Sequence, residues 1–292
     1  MEREGPAEES RAEESRAEGV PPEALETRRV VEQAVRRSGQ HRWDLEDVNW
    51  DRVRAEELTE DDRTVVRFLT YIEDHIPWYL NFFLDAFPTT DVDLATYARN
   101  REYFRFLVMW ANDEEKHAAA LTRYQVTAEM ADEATVLRQL AAEGGKPWDL
   151  PYEHPLELYT YAFLQEKATQ LFYQRYQRVV REPLLRDLLG KLAADEARHF
   201  GLYSHLVANS LATVGPRALD GVKNVLSTFE MPLNGVLDGY WRMALRVVDR
   251  VGHDHTEAYD SLGRLVGRFS DQFGTPDVDD LWRLIRDVQR MP

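Results

Sequence analysis

Asp113-Glu114-Glu115-Lys116-His117 and, further along, Asp195-Glu196-Ala197-Arg198-His199 decide how this chain is read. Of its eight histidines, only His117 and His199 follow a glutamate by three residues, and both follow an aspartate by four. On an α-helix, positions three and four apart share a face about one turn apart. Glu114 with His117, and Glu196 with His199, therefore each present an oxygen and a nitrogen to one ion. The surrounding sequence has the matching period: from Pro22 onward apolar residues recur at three and four rather than two, and breakers are few. The chain is expected to be all-α, built on four long helices. The first runs from Thr59 to Pro88 with Pro77 inside it, the second from Leu94 to about Met130. The third runs from Pro155 to about Arg181, and the fourth from Pro183 to about Val214, where Gly215-Pro216 ends it. Thr59 and Asp62 have the spacing of a capping box. Shorter helical stretches at roughly 24–38, 131–142, 217–230, 232–252, 254–273 and 276–290 are expected to pack around this bundle.

The other two long helices each carry one glutamate among apolar neighbours. These are Glu73 in Tyr71-Ile72-Glu73-Asp74-His75-Ile76-Pro77 and Glu166 in Phe163-Leu164-Gln165-Glu166-Lys167-Ala168-Thr169. Four Glu and two His, ordered single, pair, single, pair, resemble the ligand set of the ferritin-like di-iron and di-manganese carboxylate bundles. Four carboxylates converging inside an apolar bundle repel one another and lose hydration, each raising its neighbours' pKa. Two divalent cations remove that conflict. The chain has no cysteine, which excludes disulfides, thiolate zinc sites and iron–sulfur ligation. Carboxylate with imidazole suits two iron ions, with manganese as the second choice. Asp113 and Asp195 share the histidines' faces, where each can hydrogen-bond the free ring nitrogen of the opposing helix's histidine. Thr169 lies one turn after Glu166, so its hydroxyl can either face the ions or fold back on a backbone carbonyl. Trp110, Trp78, Phe82, Phe163 and Phe172 read as bundle core, and His253-Asp254-His255 beside Gly252 as a polar turn without ligand spacing.

Lys plus Arg total 36 against 52 Asp plus Glu, so 36 − 52 gives a net charge of −16, which argues against nucleic acid as a partner. Residues 1–22 hold the tandem Ala7-Glu8-Glu9-Ser10-Arg11 and Ala12-Glu13-Glu14-Ser15-Arg16 and read as a disordered acidic tail. Residues 23–292 read as a ferritin-like domain with its core bundle at about 59–214. Met1-Glu2-Arg3-Glu4-Gly5 contains no apolar leader core, and no run of apolar residues is long enough to span a membrane, so the expected compartment is the cytoplasm.

The local strings carry a more specific resemblance, covering about Trp43 to Pro232. Glu73-Asp74-His75-Ile76-Pro77-Trp78-Tyr79 is similar to the Glu-(acidic)-x-(apolar)-Pro-x-Tyr segment of the soluble acyl-acyl-carrier-protein desaturases, the type 2 fatty acid desaturases. Trp110 precedes Glu114 at that family's spacing, Gln165-Glu166-Lys167-Ala168-Thr169 resembles its Gln-Glu-Arg-Ala-Thr, and Asp195 to His199 resembles its Asp-Glu-Lys-Arg-His. Met231-Pro232 is similar to a later helix start. The resemblance implies six iron ligands, Glu73, Glu114, His117, Glu166, Glu196 and His199, with Thr169 near the oxygen-binding face. It implies an electron route from an N-terminal tryptophan, Trp43 near Asp47 or else Trp50, through Asp195 to His117. The implied activity is oxygen-dependent insertion of a double bond into an acyl chain on acyl carrier protein, by a homodimer reduced by a ferredoxin-type donor. Both partners would be acidic, so a basic patch is required; Arg28, Arg29, Arg36 and Arg37, or Arg175, Arg178, Arg181 and Arg186, are the candidates. The residues leave open a di-iron hydroxylase or N-oxygenase, and an iron oxidation or storage protein of the ferritin kind. The helical residues after 215 argue against storage.

Overall fold

Thr59 starts the first bundle helix through a reciprocal cap: its hydroxyl accepts from the Asp62 amide at 3.1 Å, and the Asp62 carboxylate accepts from the Thr59 amide at 3.1 Å. In the computed structural model, which describes residues 20, 22–40, 42–252 and 256–290, every regular element is helical. Helix α1 (Pro22–Gln40) is followed by three single 3₁₀ turns between Leu45 and Glu57. The bundle consists of α2 (Glu60–Glu73) continued by α3 (Ile76–Ala86), then α4 (Leu94–Thr127), α6 (Pro155–Val179) and α7 (Pro183–Val214), with α5 (Glu133–Gly144) between α4 and α6. The later helices are α8 (Ala218–Thr228), α9 (Tyr240–Val251), α10 (Glu257–Gly267), α11 (Ser270–Phe273) and α12 (Thr275–Val288). The acidic tail expected at 1–22 falls almost wholly outside the described residues, and the expected turn at His253-Asp254-His255 does so entirely. No helix among the described residues is long and apolar enough to cross a membrane.

Helices α6 and α7 form the tightest pair, as the short connection through Glu182 requires. The fully buried Glu182 carboxylate accepts from the Leu184 and Leu185 amides, from the Arg54 amide and from the Tyr124 hydroxyl, so it caps α7 while tying α4 and the 3₁₀ segment to it. Helix α1 lies across α4 and α7, α9 packs on α2, α8 and α10 cover the outside of α6, and α12 packs on α8 and α10. One apolar core runs through all of these, from Val31 to Ile285.

Two expectations require correction. The helix expected from Thr59 to Pro88 is two helices. Pro77 has no N–H, and its ring would meet the Glu73 carbonyl four residues back, so α2 stops at Glu73, Asp74 and His75 turn the chain, and α3 restarts with Pro77 in its first turn. Residues 232–239, expected to be helical, form turns with Leu233, Gly235 and Gly239 at positive φ, and α9 starts only at Tyr240. The stretch expected at 254–273 likewise divides into α10 and α11.

Asp62 does more than cap. Its buried carboxylate also accepts from Tyr176 at 3.1 Å and from Arg250 at 3.0 Å, pinning α6 and α9 to the start of α2. Burial pushes the Asp62 carboxyl up, but the bonds from Thr59 and Arg250 outweigh it and hold the pKa below its ordinary value. A carboxyl depressed in the folded state adds stability above its unfolded pKa of about 3.9, and that stability is lost as pH falls through the lower folded value. Asp62→Asn is therefore expected to cost about 2–4 kcal/mol at neutral pH and to flatten the loss of stability in acid. Urea unfolding at stepped pH measures both, and an acid slope equal to that of the wild type would contradict the assignment.

Candidate metal centre

The six candidate ligands meet at the middle of the bundle. Glu73 is the last residue of α2, Glu114 and His117 lie on α4, Glu166 on α6, and Glu196 and His199 on α7, and none is more than 8% exposed. They fall into two groups, Glu73, Glu114, His117 and Glu196, and Glu114, Glu166, Glu196 and His199. Within each group one donor atom per residue lies within 4.8 Å of the others. His117 Nδ1 is 3.7 Å from Glu73, 3.6 Å from Glu114 Oε2 and 3.5 Å from Glu196 Oε1. His199 Nδ1 is 3.0 Å from Glu114 Oε1, 3.4 Å from Glu166 and 3.3 Å from Glu196 Oε2. Glu114 and Glu196 thus offer one oxygen to each group, the placement of carboxylates that bridge two ions. Such separations suit donors around a first-row ion with bonds of about 2.0–2.2 Å.

The donor set fits metal on a second count. Glu114 Oε1, His117 Nδ1 and Glu166 Oε2 are buried without a hydrogen-bond partner among the described residues. Buried lone pairs left in this way cost desolvation free energy that an ion recovers. Without ions, protons play the cations' part. Burial pushes Glu73 up to about 7 and Glu196 well above its ordinary value, with the charge of Glu114 adding to both. Burial disfavours charged imidazole, but the carboxylates around His117 and His199 outweigh it and raise both well above 6.5. Those histidines in turn overcome the burial of Glu114 and hold it well below the usual carboxylate range.

Each aspartate stands against the histidine of the other helix. Asp195 Oδ2 lies 3.0 Å from His117 Nε2, and Asp113 Oδ2 lies 3.4 Å from His199 Nε2. With each Nε2–H given to an aspartate, each Nδ1 keeps its lone pair for the cluster. Burial opposes ionisation of the aspartates, but their histidines, with Lys116 on Asp113 and Arg198 on Asp195, keep both below the usual range. Lys116 is 2.9 Å from Asp113, Arg198 hydrogen-bonds Asp195, and Ser38 donates to Asp113 at 3.3 Å. Trp43 donates to Asp195 at 2.8 Å. Trp50 instead donates to the Leu45 carbonyl and packs under Arg123, so of the two tryptophans only Trp43 reaches Asp195.

Thr169 lines the space beside Glu73 and Glu114, and its hydroxyl has no hydrogen-bond partner among the described residues. Thr64, Thr70, Thr127, Thr160, Thr213 and Thr228 each donate to the carbonyl four residues back, so Thr169 departs from the habit of this chain's helical threonines. Sequence reasoning missed two ties. Trp110, read as core and as part of the resemblance by its spacing from Glu114, donates to Glu166 at 3.0 Å, and the Tyr173 hydroxyl donates to Glu73. Spacing along α4 and α6 does not reveal these ties, because each reaches a carboxylate on another helix.

Metal-free protein titrated at pH 7 with a divalent first-row ion is expected to fill two sites per chain, one for each donor group. It is also expected to release protons and to bind more tightly as pH rises, because Glu73, Glu196 and both histidines must deprotonate. Calorimetry in two buffers of different ionisation enthalpy counts the protons, and a count of zero would contradict the protonated site. Glu166→Ala is expected to lose the two-ion site.

A fatty acid desaturase family model matches residues 37–263. Among curated proteins, the chain is similar to acyl-[acyl-carrier-protein] desaturase 6, chloroplastic, of Oryza sativa subsp. japonica, at 27% identity over 143 residues, 46% of this chain and 34% of that protein. It is also similar to stearoyl-[acyl-carrier-protein] 9-desaturase 4, chloroplastic, of Arabidopsis thaliana, at 26% identity over 163 residues, 53% of this chain and 39% of that protein. The matched segments therefore span well under half of these relatives' own length. Among solved structures, that of DesA2 from Mycobacterium tuberculosis H37Rv superposes with a TM-score of 0.60 at 18% identity, covering 89% of this chain and 99% of that one. An R2-like ligand-binding oxidase with a reconstituted metal cofactor superposes with a TM-score of 0.50 at 15% identity, covering 90% of each chain. At these identities the superpositions show the fold, an all-α ferritin-like bundle.

Proposed function

The chain belongs to the fatty acid desaturase family, and from that premise we propose that it is an oxygen-dependent di-iron desaturase that introduces a double bond into an acyl chain held on acyl carrier protein. The observation that carries this reading is the junction of two features at Thr169. On one side stands the doubled donor set with its two shared carboxylates. On the other is an apolar cavity of about 330 Å³ between α2, α6 and α9, lined among others by Phe68, Leu69, Phe172 and Val247. Ile72 and Thr169 line both this cavity and a smaller chamber of about 30 Å³ that touches Glu73 and Glu114. An alkyl chain fits such a space without stranding a polar group. The carrier is supported by the curated relatives, which are named as desaturases of acyl groups on that protein.

Two irons held by Glu73, Glu114, His117, Glu166, Glu196 and His199 would activate dioxygen, whose four-electron reduction to water draws two electrons from the donor and two from the acyl chain. In the overall balance the chain loses two hydrogens from adjacent carbons, a donor gives two electrons with two protons, and dioxygen leaves as two waters. The protein's own residues contribute position and insulation. The apolar walls exclude water and set one carbon pair beside Thr169, while Asp113 and Asp195 fix the imidazoles. Trp43, Asp195 and His117 form a continuous hydrogen-bonded path from the protein's edge to the centre, and it supports the electron route.

Of the candidate basic residues, Arg28, Arg29 and Arg175 are paired with Glu32, Glu26 and Glu257, and Arg186 is spent on backbone carbonyls. Arg36, Arg37, Arg178 and Arg181 are exposed and have no ion pair among the described residues, which makes them the arginines to meet an acidic carrier or a ferredoxin-type donor. A homodimer is supported by the exposed apolar stripe of Leu94, Tyr97, Phe104 and Val108 on α4.

Reduced protein given oxygen and acyl carrier substrates is expected to yield a product lighter by two mass units, with about two irons per chain. A gain of sixteen would make it a hydroxylase, and iron uptake without organic product would place it with the storage proteins. Trp43→Phe is expected to slow turnover driven by a protein donor by on the order of tenfold, about 1.4 kcal/mol in barrier, at unchanged metal content. A small chemical reductant should bypass the defect, and equal rates with the protein donor would remove Trp43 from the route.

A further inference from the structure

We infer that Tyr173 is a positioning residue of the proposed metal centre: its hydroxyl holds one oxygen of Glu73, so that this glutamate gives only the other to its ion and leaves a coordination position open beside Thr169. This rests on the two-ion reading above and adds how the open position is kept.

The four glutamates are not held alike. Glu114 turns Oε1 to His199 Nδ1 and Oε2 to His117 Nδ1, and Glu196 turns Oε1 to His117 and Oε2 to His199, so both oxygens of each face the donor groups. Neither accepts a hydrogen bond from outside the six candidate ligands among the described residues. The two unshared glutamates are tethered instead. Glu166 Oε1 accepts from the Trp110 indole at 3.0 Å, while Oε2 lies 3.4 Å from His199 Nδ1. Glu73 Oε1 accepts from the Tyr173 hydroxyl, while Oε2 lies 3.7 Å from His117 Nδ1. In each, an aromatic donor engages one oxygen and the other faces the centre.

Two oxygens from each shared glutamate, one from each tethered glutamate and one nitrogen from each histidine make four donors for each ion. First-row ions in oxygen-rich sites take up to about six, so positions remain for a small molecule. The tether on Glu73 guards one of them. Tyr173 follows Thr169 by four residues on α6, so the two stand one turn apart on the same face. Tyr173 is fully buried and Glu73 is 5% exposed, so bulk water has no access to their bond. Were the hydroxyl removed, Glu73 Oε1 would be left desolvated without a donor, and the ion would be its nearest partner. Chelation by both oxygens would then close a position on the side where Glu73, Glu114 and Thr169 line the small chamber.

The test loads the full chain with cobalt(II), whose visible absorption weakens as its coordination number rises, and titrates it with azide, a small anion that takes an open position. Wild-type protein is expected to bind azide. Tyr173→Phe is expected to keep two cobalt ions per chain, to absorb less strongly, and to bind azide about tenfold more weakly. 4-Aminophenylalanine at position 173 keeps an N–H donor in place of the hydroxyl and is expected to restore both readings. If the phenylalanine variant loses its cooperative unfolding transition, 4-methylphenylalanine, which fills the hydroxyl's space without donating, takes its role. No azide binding to wild type, unchanged azide affinity in the variant without a donor, or a loss that 4-aminophenylalanine leaves in place would overturn the assignment while leaving the two-ion reading intact. If wild-type protein binds no cobalt, the two-ion reading fails and the assignment with it.

Discussion

Four carboxylates and two imidazoles held within a few ångströms of one another in an apolar interior are the constraint around which the rest of this molecule is arranged. Left bare, such a group would cost far more than a bundle of this size has to spare, because each buried charge loses its hydration and each neighbour of like sign adds to the loss. The chain answers in shells. Glu114 and Glu196 are shared between the two donor groups, so fewer anions are needed. The imidazoles are backed by Asp113 and Asp195, and these are backed by Lys116, Arg198, Ser38 and the Trp43 indole. Sign alternates outward from the centre, and each layer orients the one inside it.

The shells also divide the molecule into two sides with different chemistry. On the side of α1 and the 3₁₀ turns, Trp43 lies under Lys116 and Lys191, with ring-to-ammonium distances of 4.8 and 5.4 Å, beside an open depression lined by Arg42, Asp187 and Arg198. That side is polar and charged. On the side of α2, α6 and α9, the surroundings are aromatic and aliphatic up to the carboxylates themselves. The proposed reaction, which joins electrons from a donor to an oil-like substrate, would need this separation, since the same surface cannot be both well hydrated and dry.

The part of this plan legible in the sequence is the part encoded locally. A glutamate and a histidine three apart are neighbours on any helix, so spacing alone pairs Glu114 with His117 and Glu196 with His199, and assigns Asp113 and Asp195, four back, a partner across the bundle. Glu73 and Glu166 are legible only by counting, one for each remaining long helix. Trp110 and Tyr173 are not, because an aromatic residue at a core position looks the same whether or not its polar atom meets a carboxylate on another helix. The turns at 232–239 are hidden for another reason: Leu233 at φ 64 is held left-handed by its packing, and nothing about leucine announces that.

Pro77 is where local and tertiary logic meet. A helix continuing unbroken from Thr59 would have carried Glu73 and Tyr79 on one rigid rod, fixing the direction in which every later side chain points. The break after Glu73 frees α3 to set its own axis. Glu73 then serves the centre from the end of α2, while Tyr79 and Phe83 of α3 turn inward to line the inner chamber and meet Trp148 and Trp110. The turn residue His75, fully buried, donates from Nδ1 to the Tyr71 carbonyl and so closes the end of α2 with its own ring. One imino acid thereby lets a single segment supply both a candidate ligand to the centre and part of the lining of the chamber beside it; on a straight helix Glu73 and Tyr79, six residues and so about 120° apart around the axis, would face different directions.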